Sequence, residues 1–570
     1  MRRRPNCDVT SILAAAKARL RRAGSPRAES VLVGVFVALE LFAGSVARHL
    51  LPGAFNDDAV YMVLGRALST GAGYRSIYLA GAPLQVKYPP GLPALLAVLW
   101  TFCGTASRVQ AIATTINIAA CAAAASIFWW FGLVRLGMSR VIIAAFVILP
   151  FLFDPAVQYF TLVLSEPLAL LATAGSLLLY SRVREEEADT PTSRRVSSRH
   201  AVALGLTLAA AALVRTQGVA LAVAMLLALA FERELRRRLA ITAVAALAPL
   251  AAWNLFLAAG ERHATLATQA SEISYVSFLF TGTPLAIVRR ELHAVRDNLL
   301  DYVGALGSYI TGSPRAGTII CLALGMLAVT GSALLARRSR ELVFVFAANA
   351  VVILAWPVYQ DRFLLPVLPL LGLVSGNGLH SLMHRGRWER HSVSRGTVLA
   401  LVALAAGAVL VRQHWIRHDA EMATREHRRP AVDTPTFWLP GNAWFVETVS
   451  HWALDATRAD DRIAVVSPAG LWLYTGRPTV PMEIVEPRGL RSVFDEPGRY
   501  LASRLVADSV TVVVVESPSG TTASEVAAVR AACPDALVFD QSFSGIGAVR
   551  AQPGNRCVLA MNTRFESTRR

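Results

Sequence analysis

The chain has 570 residues, of which 54% are hydrophobic and 17% charged, and its mean hydropathy is +0.46. A soluble protein carries nearer a quarter charged residues, so an ordinary water-soluble globule is excluded. The net charge of +17 does not mark a nucleic-acid partner: Lys17 and Lys87 are the only lysines, and the arginines gather in short runs between apolar segments, as the positive-inside rule expects.

Residues 1–30 form a basic stretch that includes Arg2, Arg3, Arg4, Lys17, Arg19, Arg21 and Arg22, read as a cytoplasmic N-terminus. The apolar run 31–51 that follows is too long for the h-region of a cleavable signal and reads as an anchor. Spanning the bilayer core takes ~20 apolar residues. Further apolar segments lie at about 91–104, 109–134, 140–153, 163–181, 201–214, 217–231, 239–259, 316–336, 341–357, 363–383 and 396–412. Together, residues 31–412 are expected to form a transmembrane domain.

Linkers 182–200, 232–238, 337–340 and 384–395 are rich in arginine and are expected in the cytoplasm. Linkers 52–90, 154–162, 260–315 and 358–362 are expected on the opposite side. Segment 91–104 conflicts with this alternation, because a full crossing there would put Arg135 and Arg140 outside. It is short and follows two prolines, so a re-entrant or incomplete crossing is expected. That gives about eleven full crossings among 11–13 apolar segments, and an external C-terminus. No repeat of the kind that marks secondary transporters is visible.

Beyond residue 413 the pattern changes. Strand-like runs at 462–468 and 510–517 alternate with helix-like runs at 498–509 and 522–533, which predicts an extracytoplasmic α/β domain over 413–570. It carries no dinucleotide fingerprint and no nucleophile elbow, and reads as a lid, an acceptor-docking module or a structural part. The six cysteines lack metal-ligand spacing. Cys533 and Cys557 would pair if this domain faces an oxidising compartment.

The first external loop, 52–90, is the most informative stretch. Asp57 and Asp58 open a helical pattern in which Tyr61, Leu64 and Leu68 share a face. With Asn56 they can cap that helix, and a carboxylate so placed can also accept a proton. The loop ends in "VKYPPGLP", with Lys87, Tyr88, Pro89 and Pro90 turning into the next apolar segment. Downstream, "LSEPLALLA" (164–172) puts Glu166 at the start of a middle helix. "YQDRFLLPVLPLL" (359–371) carries Arg362.

Asp57, Asp58, Tyr61, Lys87, Pro89 and Pro90, followed by these two segments in that order, resemble the GT-C glycosyltransferases. The resemblance is greatest to the bacterial protein-mannosyltransferase and aminoarabinose-transferase group, and it covers roughly residues 30–385. It implies a polytopic α-helical enzyme of the inner (plasma) membrane that takes a sugar from a polyprenyl-phosphate donor. The acceptor would be an envelope glycan, a lipid or a protein, and the sugar would be transferred with inversion.

The resemblance also implies that the Asp57–Asp58 pair holds the catalytic base. Asp57 would deprotonate the acceptor and Asp58 would position it, or assist a divalent metal if one is used; no other cofactor is implied. Lys87, Arg215 and Arg362 are candidates for holding the donor phosphate. Tyr61, Tyr88 and Glu166 would position substrate.

The residues themselves leave alternatives open. Arg215 interrupts an apolar stretch, where an unpaired arginine costs at least ~2.5 kcal/mol at the bilayer centre, so it needs compensation or a short external turn from which to snorkel. Arg362 can pair locally with Asp361. Asp154 shares the ambiguity of Glu166 between a site acid and a helix-start carboxylate, and Glu40 inside the first span needs a partner or neutrality. His263, His293 and His451 form no metal-ligand pair. A transporter or lipid flippase is the alternative class, and a receptor using the α/β domain a third.

Overall fold

The computed structural model describes residues 25–48, 51–79, 81–189, 198–261, 283–356, 359–384, 394–425, 439–482, 501–502, 505–506, 508–515, 521–543 and 546–551. Every apolar segment marked in the sequence is a helix, as it must be where no water is present to satisfy backbone groups. The helices are α1 (Pro26–Arg48), α2 (Asp57–Ser69), α3 (Gly91–Cys103) and α4 (Ala106–Trp130, continued by a π turn Phe131–Arg135). Next come α5 (Arg140–Leu152), α6 (Asp154–Thr161), α7 (Glu166–Asp189), α8 (Arg199–Val214), α9 (Gly218–Phe231) and α10 (Arg236–Glu261). The set closes with α11 (Pro284–Thr311), α12 (Pro314–Leu335), α13 (Arg340–Ala355), α14 (Leu368–His384) and α15 (Arg395–Arg425).

Among the described residues, five helical stretches are long and apolar enough to cross a membrane by themselves; α5 with α6, bent by 56°, would make a sixth. The others are shorter or more charged. On α1, Val31, Val35, Leu39, Phe42 and Val46 form an exposed apolar stripe, while Val37 and Leu41 are fully buried. A stripe of that kind suits lipid on one side and protein on the other. Small residues let α12 and α14 touch: a Cβ at Gly331 would collide with the Val374 carbonyl, and one at Gly378 with the Leu327 carbonyl.

The bundle has two distinct ends. Arg135 pairs with Glu185 at 2.9 Å, Arg140 with Glu29 at 2.7 Å, Arg184 with Glu232 at 3.3 Å and Arg238 with Glu187 at 3.2 Å. Arg184 also donates to the carbonyl of Arg338, and Arg340 to that of Phe231. The described parts of the arginine-rich linkers, 182–189 and 198–200, 232–238 and 337–340, are thus gathered at one end with the start of α1. Eleven helical runs join this end to the other among the described residues: α1, α4, the α5–α6 pair, α7 to α10, and α12 to α15.

Segment 91–104 adds no crossing. The α4 side chain of Asn117 donates to the carbonyls of Leu162 and Leu164 at 2.7 and 3.2 Å, just before Glu166. The chain therefore enters α4 at the first-loop end and leaves it, through Arg135, at the arginine end. Helices α2 and α3 form a hairpin that begins and ends on the first-loop side, closed where Trp100 Nε1 donates to the Met62 carbonyl at 2.8 Å.

Glu40 within α1 is partnered: Arg417 of α15 lies 3.4 Å from it and His414 3.7 Å. Asp154 is fully buried, and Gln158 Nε2 donates to it at 3.0 Å.

The C-terminal part is α/β. Helix α16 (Leu439–Ala456) precedes β1 (Ile463–Val465), α17 (Pro468–Thr475), β2 (Thr479–Pro481), β3 (Val512–Val515), α18 (Thr521–Ala532), β4 (Leu537–Phe543) and β5 (Ile546–Ala551). The strands form one sheet in the order β2-β1-β3-β5-β4, parallel across β2-β1-β3 and antiparallel across β3-β5-β4. Cys533 is buried and disulfide-bonded. Cys557, its expected partner, lies outside the described residues, as does His263.

Candidate active site

The site is built at the first-loop end from four separate segments. The turn after α1 brings the chain into α2 with Asn56 in a left-handed conformation, φ +65°, and no side-chain cap. The two aspartates at the helix start then diverge. Asp58 is buried and turns back: its Oδ2 accepts the Gly53 N–H at 2.9 Å and its Oδ1 the Phe55 N–H at 3.3 Å. Burial pushes its carboxyl up to about 6, against the pull of those N–H groups. It ties down the loop and forms no side-chain hydrogen bond or ion pair with the other site residues among those described.

Asp57 faces the other way. The Tyr88 hydroxyl donates to its Oδ1 at 2.6 Å, and Arg362 Nη2 bonds to its Oδ2. Burial opposes its charge, but Arg362, Lys87 and these hydrogen bonds outweigh it and hold the carboxyl below its ordinary range. It is an anion at neutral pH.

Arg362 enters from the 3₁₀ turn Asp361–Leu364 between α13 and α14. Its guanidinium lies over the Phe55 ring at 4.3 Å and donates through Nε to Gln360 Oε1 at 2.7 Å. It also stands 3.3 Å from Glu166 Oε1. The local pairing with Asp361 does not form between side chains. Asp361 instead receives the hydroxyls of Tyr159 and Tyr309, at 3.1 and 3.0 Å, and the Arg362 backbone N–H. Asp361 thereby orients the turn that carries Arg362.

Glu166, at the start of α7, is fully buried. It lies 2.9 Å from Arg215 Nη1 as well as beside Arg362, so its charge is matched by two guanidiniums. Neither of its oxygens accepts a hydrogen bond of good geometry among the described residues. Arg215 occupies the turn between α8 and α9, yet it is buried and compensated by Glu166 and does not snorkel. It donates to Ser165 Oγ at 3.0 Å and Gln217 Oε1 at 2.9 Å. Tyr61 reaches the same Ser165 at 3.4 Å and meets the Tyr88 ring edge-on. The Lys87 ammonium lies 5.2 Å from the Tyr88 ring, and Tyr74 donates to the Tyr88 carbonyl at 2.9 Å to hold that turn.

Asp57, Tyr61, Lys87, Tyr88, Glu166, Arg215 and Arg362 are therefore linked into one cluster of side chains, the site chamber. Asp58 borders it, and Asp154 and Glu40 stand elsewhere. Ser165, Gln217 and Gln360 join the chamber unforeseen; neutral polar residues beside apolar runs give no pattern by which to find them. No group of three or more His, Cys, Asp or Glu side chains placed to hold a metal ion occurs among the described residues.

The C-terminal domain grips this loop from outside. Thr479 donates to the Tyr78 carbonyl through both N–H and hydroxyl, at 3.0 and 2.8 Å, and Leu79 bridges to it in parallel, extending the sheet edge at β2. Tyr474 donates to the Pro52 carbonyl at 3.1 Å, and Asn442 to that of Ala54 at 3.3 Å. The backbones of Gly53 (φ +99°) and Gly470 meet so closely that a Cβ on Gly470 would stand 3.4 Å from the Gly53 Cα. Arg66 is sandwiched between Trp100 and Trp472, 5.4 Å from each ring. The domain is thus a brace on the segment that presents Asp57.

No family model matches the chain, and no curated protein matches it in sequence. In structure it is similar to ArnT from Cupriavidus metallidurans. The match to ArnT bound to undecaprenyl phosphate has a TM-score of 0.50 at 14% identity, covering 92% of this chain and 98% of that one. Apo ArnT gives 0.50 at 13% identity, covering 93% and 99%. The chain has the GT-C fold. At these identities the likeness is one of architecture, extending over nearly the whole of both chains. A weaker likeness, with a TM-score of 0.47 and 14% identity, covers 92% of this chain and 74% of the archaeal oligosaccharyltransferase AglB from Archaeoglobus fulgidus.

Proposed function

We propose that this protein is a membrane glycosyltransferase that moves a sugar from a polyprenyl-phosphate donor to an acceptor hydroxyl on the extracytoplasmic side, with inversion. The observation that carries the reading is the chamber's charge. Asp57 and Glu166 are balanced by Arg215, Arg362 and Lys87, while Asp58 and Asp361 turn away to N–H and hydroxyl donors. The surplus is one positive charge, which suits the single negative charge of a sugar phosphodiester. The solved structure of ArnT with undecaprenyl phosphate shows a polyprenyl monophosphate, the leaving group of such a transfer, on the same fold.

In this mechanism the donor phosphate engages the guanidiniums of Arg362 and Arg215 and the Lys87 ammonium. Arg362 then shares its charge between phosphate and Asp57, which loosens its hold on the carboxylate. The acceptor oxygen attacks the anomeric carbon as the bond from that carbon to the phosphate oxygen breaks. The bonding pair leaves with the polyprenyl phosphate, and the acceptor proton passes to Asp57. Because Asp57 is held below the ordinary carboxylate range, it is a weak base in the ground state, and proton transfer follows development of positive charge on the attacking oxygen. Charge growing on the leaving phosphate meets fixed cations that need no reorganisation. Tyr88 and Tyr61 orient Asp57 and the sugar.

Two features support the orientation. The arginines collect at the opposite end, as expected of a cytoplasmic face, and the bonded Cys533 suits an oxidising compartment for the domain that braces the first loop. A transporter reading fits less well, because the cluster of Asp57, Glu166, Arg215 and Arg362 lies at one end of the bundle and not at its middle.

The test is release of labelled sugar from lipid-linked donors by the purified chain. Asp57→Asn is expected to lower transfer ~10²–10⁴-fold while the protein stays folded and inserted. Full activity in both Asp57→Asn and Asp58→Asn would remove the assignment.

A further inference from the structure

At the opposite end of the bundle a second charged cavity has no part in this chemistry. It has a volume of about 230 Å³, far above the ~30 Å³ share of one water. Its walls are the α7 residue Arg184, the α9–α10 turn Phe231–Glu234, and Arg337, Arg338 and Arg340 between α12 and α13. Along α7, about 27 Å of helix at ~1.5 Å per residue separates Arg184 from Glu166, so the two sites are on opposite faces.

The five guanidiniums do not play one role. Arg184 pairs with Glu232 and donates to the Arg338 carbonyl, and Arg340 holds the Phe231 carbonyl at 3.1 Å. These two fasten the walls together. Glu232 is further fixed by the Tyr180 hydroxyl at 3.0 Å. Arg233, Arg337 and Arg338 are exposed and have no side-chain partner among the described residues. The cavity is therefore a frame presenting unspent positive charge, set against one exposed carboxylate, Glu234.

One flank, along α9, is apolar. Phe231 is 63% exposed, and Leu227 and Val223, one and two turns back along α9, are exposed on the same face. A free anion has no use for such a stripe, but an acyl chain does.

We propose that this cavity binds the phosphate of an anionic membrane phospholipid, with Arg233, Arg337 and Arg338 on the phosphate and the chain along Val223, Leu227 and Phe231. Basic pockets between helices at the membrane surface recognise such headgroups. The chemistry is a phosphate anion, which a lipid or a free phosphate could supply; the apolar stripe favours the lipid.

The test uses the full-length protein in neutral detergent, titrated with dioctanoyl phosphatidylglycerol, dioctanoyl phosphatidylcholine and inorganic phosphate, with bound lipid read by native mass spectrometry. Phosphatidylglycerol should bind at least tenfold tighter than phosphatidylcholine, and less tightly as salt rises. The Arg337→Gln/Arg338→Gln double variant should lose roughly thirtyfold of that affinity while its sugar release is unchanged. Should that variant fold poorly, Phe231→Ser should weaken phosphatidylglycerol and leave any phosphate binding as it was. Equal affinity for the two lipids, or undiminished phosphatidylglycerol binding in the folded double variant, overturns the proposal. Inorganic phosphate that binds as tightly as the lipid overturns the lipid as its source.

Discussion

The two ends of the bundle both gather charges and treat them differently. At the first-loop end Arg362, Glu166 and Arg215 are each under a tenth exposed, and their charged partners come from segments far apart in sequence. At the arginine end most pairs are more open, with side-chain exposures of 30% and 40% for Arg135 and Glu185 and 60% for Arg140, although Arg238 and Glu341 are buried there as well. A buried charge loses hydration worth several kcal/mol and needs compensation, whereas an exposed pair contributes little. A cluster of buried charges is not explained by stability, and that points to chemistry at one end and to solvation and lipid contact at the other.

The largest effect that would sharpen this contrast is at Arg362. Arg362→Ala leaves Asp57 and Glu166 facing each other with Arg215 and Lys87 alone. The expected cost is about 3–5 kcal/mol of stability, read as a lowered thermal midpoint, together with loss of sugar release. Arg362→Lys keeps the charge but cannot reach Asp57, Glu166 and Gln360 together. It should recover most of the stability and little of the activity. Recovery of both would mean that only net charge matters in the chamber.

The next effect concerns the brace. Gly470→Val pushes a branched side chain against Gly53 and Val446, and overpacking of this kind costs about 1–3 kcal/mol. If the C-terminal domain positions Asp57, kcat should fall several-fold with donor KM nearly constant. Thr479→Ala removes the hydroxyl bonds to Tyr78 and Pro468 and should act in the same direction at about 1 kcal/mol. A change confined to acceptor KM in both variants would instead make the domain a docking module.

Asp57 and Asp58 allow the contrast to be tested between neighbours. The Asp58 carboxyl is raised from 3.8 to about 6, so between those values the folded protein keeps a proton that the unfolded chain releases. Stability from this residue is greatest below pH ~4 and is lost as pH rises through 6. Asp57 is shifted the other way, and its contribution is present above its ordinary range and lost as pH falls below it. Asp58→Asn should therefore flatten the thermal midpoint between pH 4 and 6, while Asp57→Asn should leave that slope in place. A slope that survives Asp58→Asn would assign it to another group.

Much of this architecture is legible in the sequence. Bilayer length and the need to satisfy backbone groups dictate helices wherever apolar runs occur, and the arginine clusters sort the linkers by end. They also resolve 91–104, because Arg135 cannot leave its neighbours Glu185 and Ser181. The gathering of Asp57, Lys87, Glu166 and Arg362 could be anticipated from the order of their motifs, whereas Arg215 stood out only because it interrupts an apolar stretch. The divergence of Asp57 and Asp58 could not, since it depends on the left-handed Asn56 and on N–H groups that any residue supplies. Asp361 likewise reads as a partner for Arg362 until Tyr159 and Tyr309 claim it. The brace is invisible for a further reason: Thr479 to Tyr78 and Tyr474 to Pro52 span about 400 residues and end on backbone carbonyls.

The smallest expected effect is the most direct test of why the two ends differ. Arg140 and Glu29 form a two-point pair, Nε to Oε2 at 2.8 Å and Nη2 to Oε1 at 2.7 Å. Arg215 and Glu166 stand at 2.9 Å. By distance alone the exposed pair is the stronger. Yet the Arg140 side chain is 60% exposed and its field is screened by water and salt, while Arg215 sits at 9% beside a fully buried carboxylate. Arg140→Ala should leave the thermal midpoint unchanged within error at 150 mM salt, and Arg215→Ala should lower it clearly at any salt concentration. Equal losses from the two variants would show that contact geometry, and not burial, sets the weight of a charge pair in this fold, and the buried cluster would then no longer single out the first-loop end as the reaction centre.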